Sequence, residues 1–186
     1  MEFTVLKTRV KISPLFFAVL TAFLLADRGG IAAPVICFSL LHELCHFAVL
    51  GALKKAPREV NISAAGISMR LCGMSTAERV LVFAAGAAGN FAAAVLCFAV
   101  GRELFCGVNL AIGIFTMLPI CSTDGGSIFA ALAEKFFPER AKQLCKAVFT
   151  VCGAITAAAL FATAALYENS YLLIGAFYSV ICLIKY

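Results

Sequence analysis

The chain has 186 residues, about the length of one domain; 63% of them are apolar and only 13% are charged. Soluble proteins are about 45–50% apolar and about 25% charged, so this composition excludes an ordinary soluble fold and predicts a membrane protein. Disordered, disulfide-rich secreted, coiled-coil and nucleic-acid-binding classes are excluded too, because each needs more polar or more regularly charged surface. We therefore interpret the formal charge of +5 as belonging to the loops that flank the membrane.

Six apolar stretches approach or reach the length of about 20 helical residues that crosses a bilayer. They cover residues 12–26, 31–53, 80–100, 104–120, 147–166 and 171–184. Basic residues precede the first stretch, as in a signal peptide, but it lacks a convincing small-residue cleavage site, so we expect it to be retained. The sequence thus predicts an all-α polytopic membrane protein of about six transmembrane helices. We expect residues 1–186 to form a single transmembrane domain without a separate regulatory domain.

Two shorter segments lie between these stretches. Residues 60–71 partly alternate between polar and apolar around Gly66, which favours a short β-hairpin over a helix. We therefore expect a membrane-associated hairpin between the second and third spans. Residues 127–137 form an amphipathic segment that ends at Pro138.

The basic residues predict the orientation in the membrane. If the N-terminus is cytoplasmic, six spans place all 15 Lys and Arg residues except Arg28 and Arg102 on the cytoplasmic side. The opposite orientation would reverse this distribution, against the positive-inside tendency. We therefore expect both termini to lie in the cytoplasm.

The second span contains an HExxH pattern formed by His42, Glu43 and His46. Residues four apart lie on one helix face, so both imidazoles can bind one zinc ion while the glutamate reaches a water molecule beside it. Because the chain has only two histidines, chance gives this arrangement at odds of about one in two thousand. A hydrogen-bonded interior network is the alternative, but three titratable groups in one turn of a span need a compensating partner. No CxxC pair is present, and we interpret the nine cysteines as packing residues.

A catalytic zinc site commonly has three protein ligands, so a third is needed. The chain has two aspartates: Asp27, at the outer end of the first span, and Asp124, after the fourth. The second and fourth spans run in the same direction, which places Asp124 near the depth of the histidines and Asp27 on the wrong side. Pro119 and the glycines at 125–126 should unwind the backbone, which is tolerated there only around a protein-buried or wet cavity. An ordinary cytoplasmic turn is the alternative for this Asp-Gly-Gly segment.

Three features together resemble the site-2-protease family of intramembrane zinc metalloproteases. They are the HExxH pattern in an apolar helix, Pro119 followed by Asp-Gly-Gly at 124–126, and Ala-Gly-Ala-Ala-Gly-Asn at 85–90. The resemblance covers nearly the whole chain. The short six-span layout is most similar to the bacterial stage IV sporulation protein FB-like branch.

The resemblance implies that His42, His46 and Asp124 bind one zinc ion and that Glu43 is the catalytic base. It implies hydrolysis of a peptide bond in or near the transmembrane segment of a membrane-bound client, such as a sporulation or signalling precursor. The expected location is the bacterial cell (inner) membrane. The expected partners are the lipid bilayer, a membrane-anchored substrate and regulatory membrane proteins, with no nucleic acid.

Two positions depart from the family pattern: Thr116 replaces the usual Asn before Pro119, and Ala87 replaces a Pro. A Thr hydroxyl has less reach and one fewer donor than an amide, which affects substrate positioning more than zinc binding. We expect Thr116, Pro119, Asn90 and Gly66 to contact the substrate, the last through an edge of the hairpin that pairs with an extended client. For Asn90, a hydrogen bond between helices is an equal alternative.

A non-proteolytic zinc-binding membrane protein is the second hypothesis for the function. A transporter should carry a chain of ionisable residues through both halves of the membrane, and the outer half here has almost none. A pseudoprotease would be expected to lack Glu43, which is present.

Overall fold

The computed structural model describes residues 2–5, 8–27, 29–63, 66–166, 176 and 179–180. These residues form two compact units, Met1–Phe115 and Thr116–Tyr186. The elements of the described residues are, in chain order, β1 (Glu2–Val5), β2 (Thr8–Ile12), α1 (Pro14–Ala26), α2 (Ala32–Ala52), β3 (Glu59–Ser63), β4 (Gly66–Arg70), α3 (Thr76–Ala99), α4 (Glu103–Met117), α5 (Asp124–Phe136) and α6 (Ala141–Leu166).

The strands form one mixed sheet in the order β1-β2-β3-β4. β1 and β2 are antiparallel, β2 and β3 are parallel, and β3 and β4 are antiparallel, with Ser63 opposite Gly66. The predicted hairpin is therefore present as β3 and β4. The prediction of an all-α fold with a two-stranded hairpin is corrected: the protein is mostly helical with a four-stranded sheet.

The strands β1 and β2 were not predicted because they are short and carry basic residues. In β2, Arg9 and Lys11 alternate with Val10 and Ile12, which is the pattern of a half-buried strand. Lys11 forms ion pairs across the sheet with Glu59 at 3.3 Å, on β3, and with Glu2 on β1. Strands this short are stable only within a larger sheet, so β2 depends on β3, which is distant in the sequence.

Helix boundaries in the first unit follow from capping. α1 begins at Pro14 rather than at residue 12, because proline lacks an N–H and its fixed φ suits the first helical turn. At the start of α3, Ser75 Oγ accepts a hydrogen bond from the Glu78 backbone N–H, and the Glu78 carboxylate accepts one from the Ser75 backbone N–H. Lys55 Nζ also donates to Glu78 at 2.9 Å, which ties the segment after α2 to the start of α3.

Among the described helices, α2, α3 and α6 are each long and apolar enough to cross a membrane, and α1 and α4 are shorter apolar helices. This confirms a multi-pass membrane protein. The predicted sixth span, 171–184, lies outside the described residues apart from three helical positions, Ala176, Ser179 and Val180. The cysteines of the described segments are free thiols.

In the second unit, α5 packs against α6. Phe129 of α5 and Phe149 of α6 meet edge to face with ring centroids 6.1 Å apart. α5 begins at residue 124, before the amphipathic segment 127–137, and α6 begins at 141, before the apolar stretch 147–166. The buried core beside them consists of Ile120, Cys121, Ala133, Ala141, Cys145 and Phe149.

Candidate metal centre

The two histidines lie on the face of α2 that packs against α3. His42 is 5% exposed and His46 is 1% exposed. Their rings are edge to face, with centroids 4.7 Å apart. The spacing of four residues thus brings the imidazoles together in the interior, as a helix requires.

Each imidazole is held at Nδ1 by an acceptor on α3. His42 Nδ1 lies 2.7 Å from Asn90 Oδ1, and His46 Nδ1 lies 2.7 Å from the Val82 carbonyl oxygen. A backbone carbonyl can only accept, so the proton of neutral His46 is on Nδ1 and Nε2 is its unprotonated nitrogen. A ring held in this way is oriented to bind a metal through Nε2.

Gly86 of α3 lies close to both imidazole rings. A Cβ atom at this position would lie 2.5 Å from Nε2 of His42 and 2.5 Å from Nε2 of His46. One point close to both nitrogens shows that the two Nε2 atoms converge. Since Gly86 has no side chain, the α3 backbone can lie this close to both rings.

Asp124 is the first residue of α5, and Thr123 is the N-cap of that helix. Thr123 Oγ1 accepts a hydrogen bond from the Gly126 backbone N–H at 3.2 Å and donates one to the Leu118 carbonyl at 2.6 Å. Thr123 Oγ1 therefore connects the helix start to the chain around Pro119. A Cβ at Gly125 would overlap the Met117 carbonyl, so the turn requires glycine there.

The predicted ligands form one cluster. One ligand atom from each of His42, His46 and Asp124 lies within 4.8 Å of the others, and both histidines are buried. Two imidazole nitrogens and a carboxylate oxygen are a donor set that zinc uses with a fourth position open. The converging Nε2 atoms fit this use, so the cluster suits one metal ion.

Comparison with solved structures finds the site-2 protease from Methanocaldococcus jannaschii, at a TM-score of 0.70 and 15% sequence identity. The alignment covers 100% of this chain and 94% of that chain. The two chains share a fold. No protein-family model and no curated protein sequence matches the chain. The similarity predicted from the motifs is confirmed for the fold, and the sporulation branch stays a prediction.

Glu43 lies in the middle of α2, whereas Asp27 precedes the helix. Glu43 follows His42 directly, and its Oε2 atom is buried. The Asp27 carboxylate accepts hydrogen bonds from the backbone N–H groups of Ile31 at 3.2 Å and Ala32 at 3.0 Å. Ala32 is about 15 Å along the helix from His42 at 1.5 Å per residue. Asp27 thus caps the start of α2, whereas Asp124 belongs to the cluster.

The residues predicted to contact substrate lie in several elements. Thr116 is in the last turn of α4, Pro119 follows that helix, and Gly66 begins the edge strand β4. Asn90 is fully buried in α3. Asn109 of α4 is also fully buried and was not predicted as a site residue, although an amide within the apolar stretch 104–120 was a usable signal.

Proposed function

We propose that this chain is an intramembrane zinc metalloendopeptidase that hydrolyses a peptide bond in or near the transmembrane segment of a membrane-bound client. The observation that carries this proposal is the approach of ligand atoms from His42, His46 and Asp124 to within 4.8 Å of one another. Glu43, next to the first ligand, supplies the general base that peptide hydrolysis needs. The fold shared with a site-2 protease supports the same conclusion.

A zinc ion held by the three ligands supplies Lewis-acid chemistry, which lowers the pKa of a water molecule towards about 7 and polarises a peptide carbonyl. The Glu43 carboxylate accepts a proton from the attacking water as the water oxygen bonds to the carbonyl carbon. Glu43 then gives that proton to the amide nitrogen as the C–N bond breaks. Throughout, the hydrogen bonds at Nδ1 keep the rings of His42 and His46 in place.

The substrate class follows from the backbone chemistry. A helical client keeps its carbonyls in hydrogen bonds, so it must be extended before it is cleaved. β4 is the last strand of the described sheet and begins at Gly66, so its edge can pair with an extended client. We propose that Thr116, through its hydroxyl, and Pro119 position the client's backbone near Asp124.

The proposed location is a bacterial cell membrane, with both termini in the cytoplasm. The distribution of basic residues supports this orientation. The proposed partners are a membrane-anchored substrate, regulatory membrane proteins and the bilayer. Assignment to the sporulation branch rests on the short six-span layout, so a membrane-tethered sporulation precursor belongs among the clients to be tested.

Co-expression with tagged single-span clients tests the activity. We expect the wild-type protein to produce a shortened client and Glu43→Gln to slow its formation by at least about 100-fold, the usual contribution of a general base. Purified Glu43→Gln should keep one zinc per chain, because the glutamine replaces the base and leaves the ligands. Glu103→Gln, the same change at an exposed position at the start of α4, should cleave like the wild type.

The two aspartates provide a matched pair for metal content. Asp124→Ala should lose zinc, whereas Asp27→Ala should keep it, because the Asp27 carboxylate binds backbone N–H groups of α2. If Glu43→Gln leaves client levels unchanged while zinc is bound, the protein is a non-proteolytic zinc-binding membrane protein, and the peptidase proposal is refuted.

A further inference from the structure

We propose that Asn90, itself oriented by Asn109, is a positioning residue that fixes the ring orientation and tautomer of His42. The inference rests on the proposed function, because the orientation of His42 matters only if His42 binds the metal. The hydrogen bonds that carry it all lie within the first unit of the chain. Three hydrogen bonds of Asn90 and one of Asn109 carry it. Both amides are fully buried, at 0% exposure.

The Phe38 carbonyl determines which way the Asn90 amide faces. Asn90 Nδ2 donates to that carbonyl oxygen at 3.2 Å. A carbonyl only accepts, so a flipped amide would place two oxygens against each other. The Asn90 oxygen must therefore face His42, 2.7 Å from Nδ1. Since this oxygen also only accepts, the proton of neutral His42 is on Nδ1.

Asn109 strengthens this orientation from a third helix. Its Nδ2 donates to the Phe105 carbonyl at 2.8 Å, four residues earlier in α4. That bond leaves the Asn109 oxygen to accept from Asn90 Nδ2 at 3.0 Å. The donors thus run in one direction, from His42 to Asn90 and from Asn90 to Asn109. A buried amide without a hydrogen-bond partner destabilises the fold. In this chain of hydrogen bonds each amide has partners, so burying Asn90 and Asn109 carries little free-energy penalty.

The two imidazoles are supported differently, and this difference makes the proposal testable. His46 is held by the backbone carbonyl of Val82, which no substitution removes. His42 is held by the Asn90 side chain. Replacing Asn90 should therefore release the ring of His42 and leave that of His46 in place, so His46 serves as an internal control.

The chain contains only two histidines, so ¹⁵N-histidine labelling gives NMR signals from these two rings alone. In the metal-free full-length protein in detergent at alkaline pH, we expect both rings to carry the proton on Nδ1. In Asn90→Leu, which is similar in size and apolar, His42 should become a mixture of tautomers and His46 should not change. The affinity for Zn²⁺, measured by competition with a chelator, should fall by about 10–100-fold, as for other groups that orient metal ligands.

Asn109→Leu is the second variant, since it leaves the contact between Asn90 and His42 intact. We expect it to weaken Zn²⁺ binding by less than about tenfold, because it acts one hydrogen bond further from the ligand. Asn61→Leu, the same change in β3, should leave Zn²⁺ binding and both tautomers as in the wild type. The far-ultraviolet circular dichroism of each variant shows whether its helices are retained.

An unchanged His42 tautomer in folded Asn90→Leu overturns the proposal, as does an unchanged Zn²⁺ affinity in that variant. Failure of the proposed function gives a different result: the wild type binds Zn²⁺ and shows the tautomers described, but no client is cleaved. In that case the positioning role of Asn90 stands.

Discussion

Gly86→Ala places a methyl group where the Nε2 atoms of the two histidines converge, the atoms that we propose bind zinc. The new Cβ would lie 2.5 Å from Nε2 of both His42 and His46, whereas real Cβ atoms essentially never approach another atom closer than 3.0 Å. Neither ring can simply turn away, because each Nδ1 is held by a hydrogen bond of 2.7 Å. We therefore expect the substitution to act directly on metal binding.

The size of the effect follows from these distances. Restoring a contact of 3.0–3.4 Å requires a shift of at least 0.5 Å, whereas a metal–ligand bond tolerates about 0.2 Å. At least one imidazole should then fail to reach the ion. We expect Zn²⁺ affinity to fall by at least about 100-fold, or about 2.8 kcal/mol. Loss of a group that orients a metal ligand weakens metal binding by up to about the same factor.

The assay is chelator competition with the purified full-length chain, and two neighbouring glycines control for packing. Gly51→Ala in α2 adds a Cβ with no atom within 4 Å and should bind zinc like the wild type. Gly89→Ala overlaps Cys45 Sγ at the same helix interface, and combining it with Cys45→Ala should remove the overlap and keep zinc binding. Zinc affinity in Gly86→Ala within about threefold of the wild type would refute the reasoning, because Nε2 coordination could not survive such an overlap.

Two further predictions concern the turn before Asp124 and the edge of the sheet. Thr123→Val removes the N-cap of α5 and should lower the free energy of unfolding by about 1–2 kcal/mol and weaken Zn²⁺ binding. Thr123→Ser keeps the capping hydroxyl and should keep both properties. Thermal unfolding and chelator competition measure this, and a Val variant that keeps both properties would contradict the role of the cap. Ile67→Pro in β4 should slow client cleavage by about tenfold, the value of one lost backbone hydrogen bond, with zinc affinity unchanged, because the N–H of residue 67 faces away from β3. Full cleavage by proline variants at both 67 and 69 would show that the client does not pair with this edge.

Local patterns in the sequence were sufficient to predict those helices, strands and side-chain placements that depend on residues close together in the chain. Apolar length predicted α2 and α3 to within a few residues, and the HExxH spacing placed two imidazoles on one helix face. The direction of the spans also selected Asp124 over Asp27 as the aspartate that lies beside the two histidines. The alternation around Gly66 predicted the hairpin that became β3 and β4.

Contacts between segments that are distant in the sequence could not be predicted from local patterns. β1 and β2 were missed because β2 is stabilised by parallel pairing with β3, about fifty residues later by the Val10–Val60 register, and β1 pairs only with β2. The end of α4 was placed at residue 120 rather than at Met117, although Pro119 disfavours helix in the residue before it.

The sequence by itself therefore determined the membrane class, the pair of histidines and the choice of aspartate, because helix periodicity and span direction are properties of the chain alone. Only the tertiary structure decided that Asn90 supports His42, that Asn109 orients Asn90, and that Gly86 packs against both rings. These relations depend on how α2, α3 and α4 pack. The physical reason is that a hydrogen bond or a steric gap between helices is set by their separation and rotation, which no local pattern encodes.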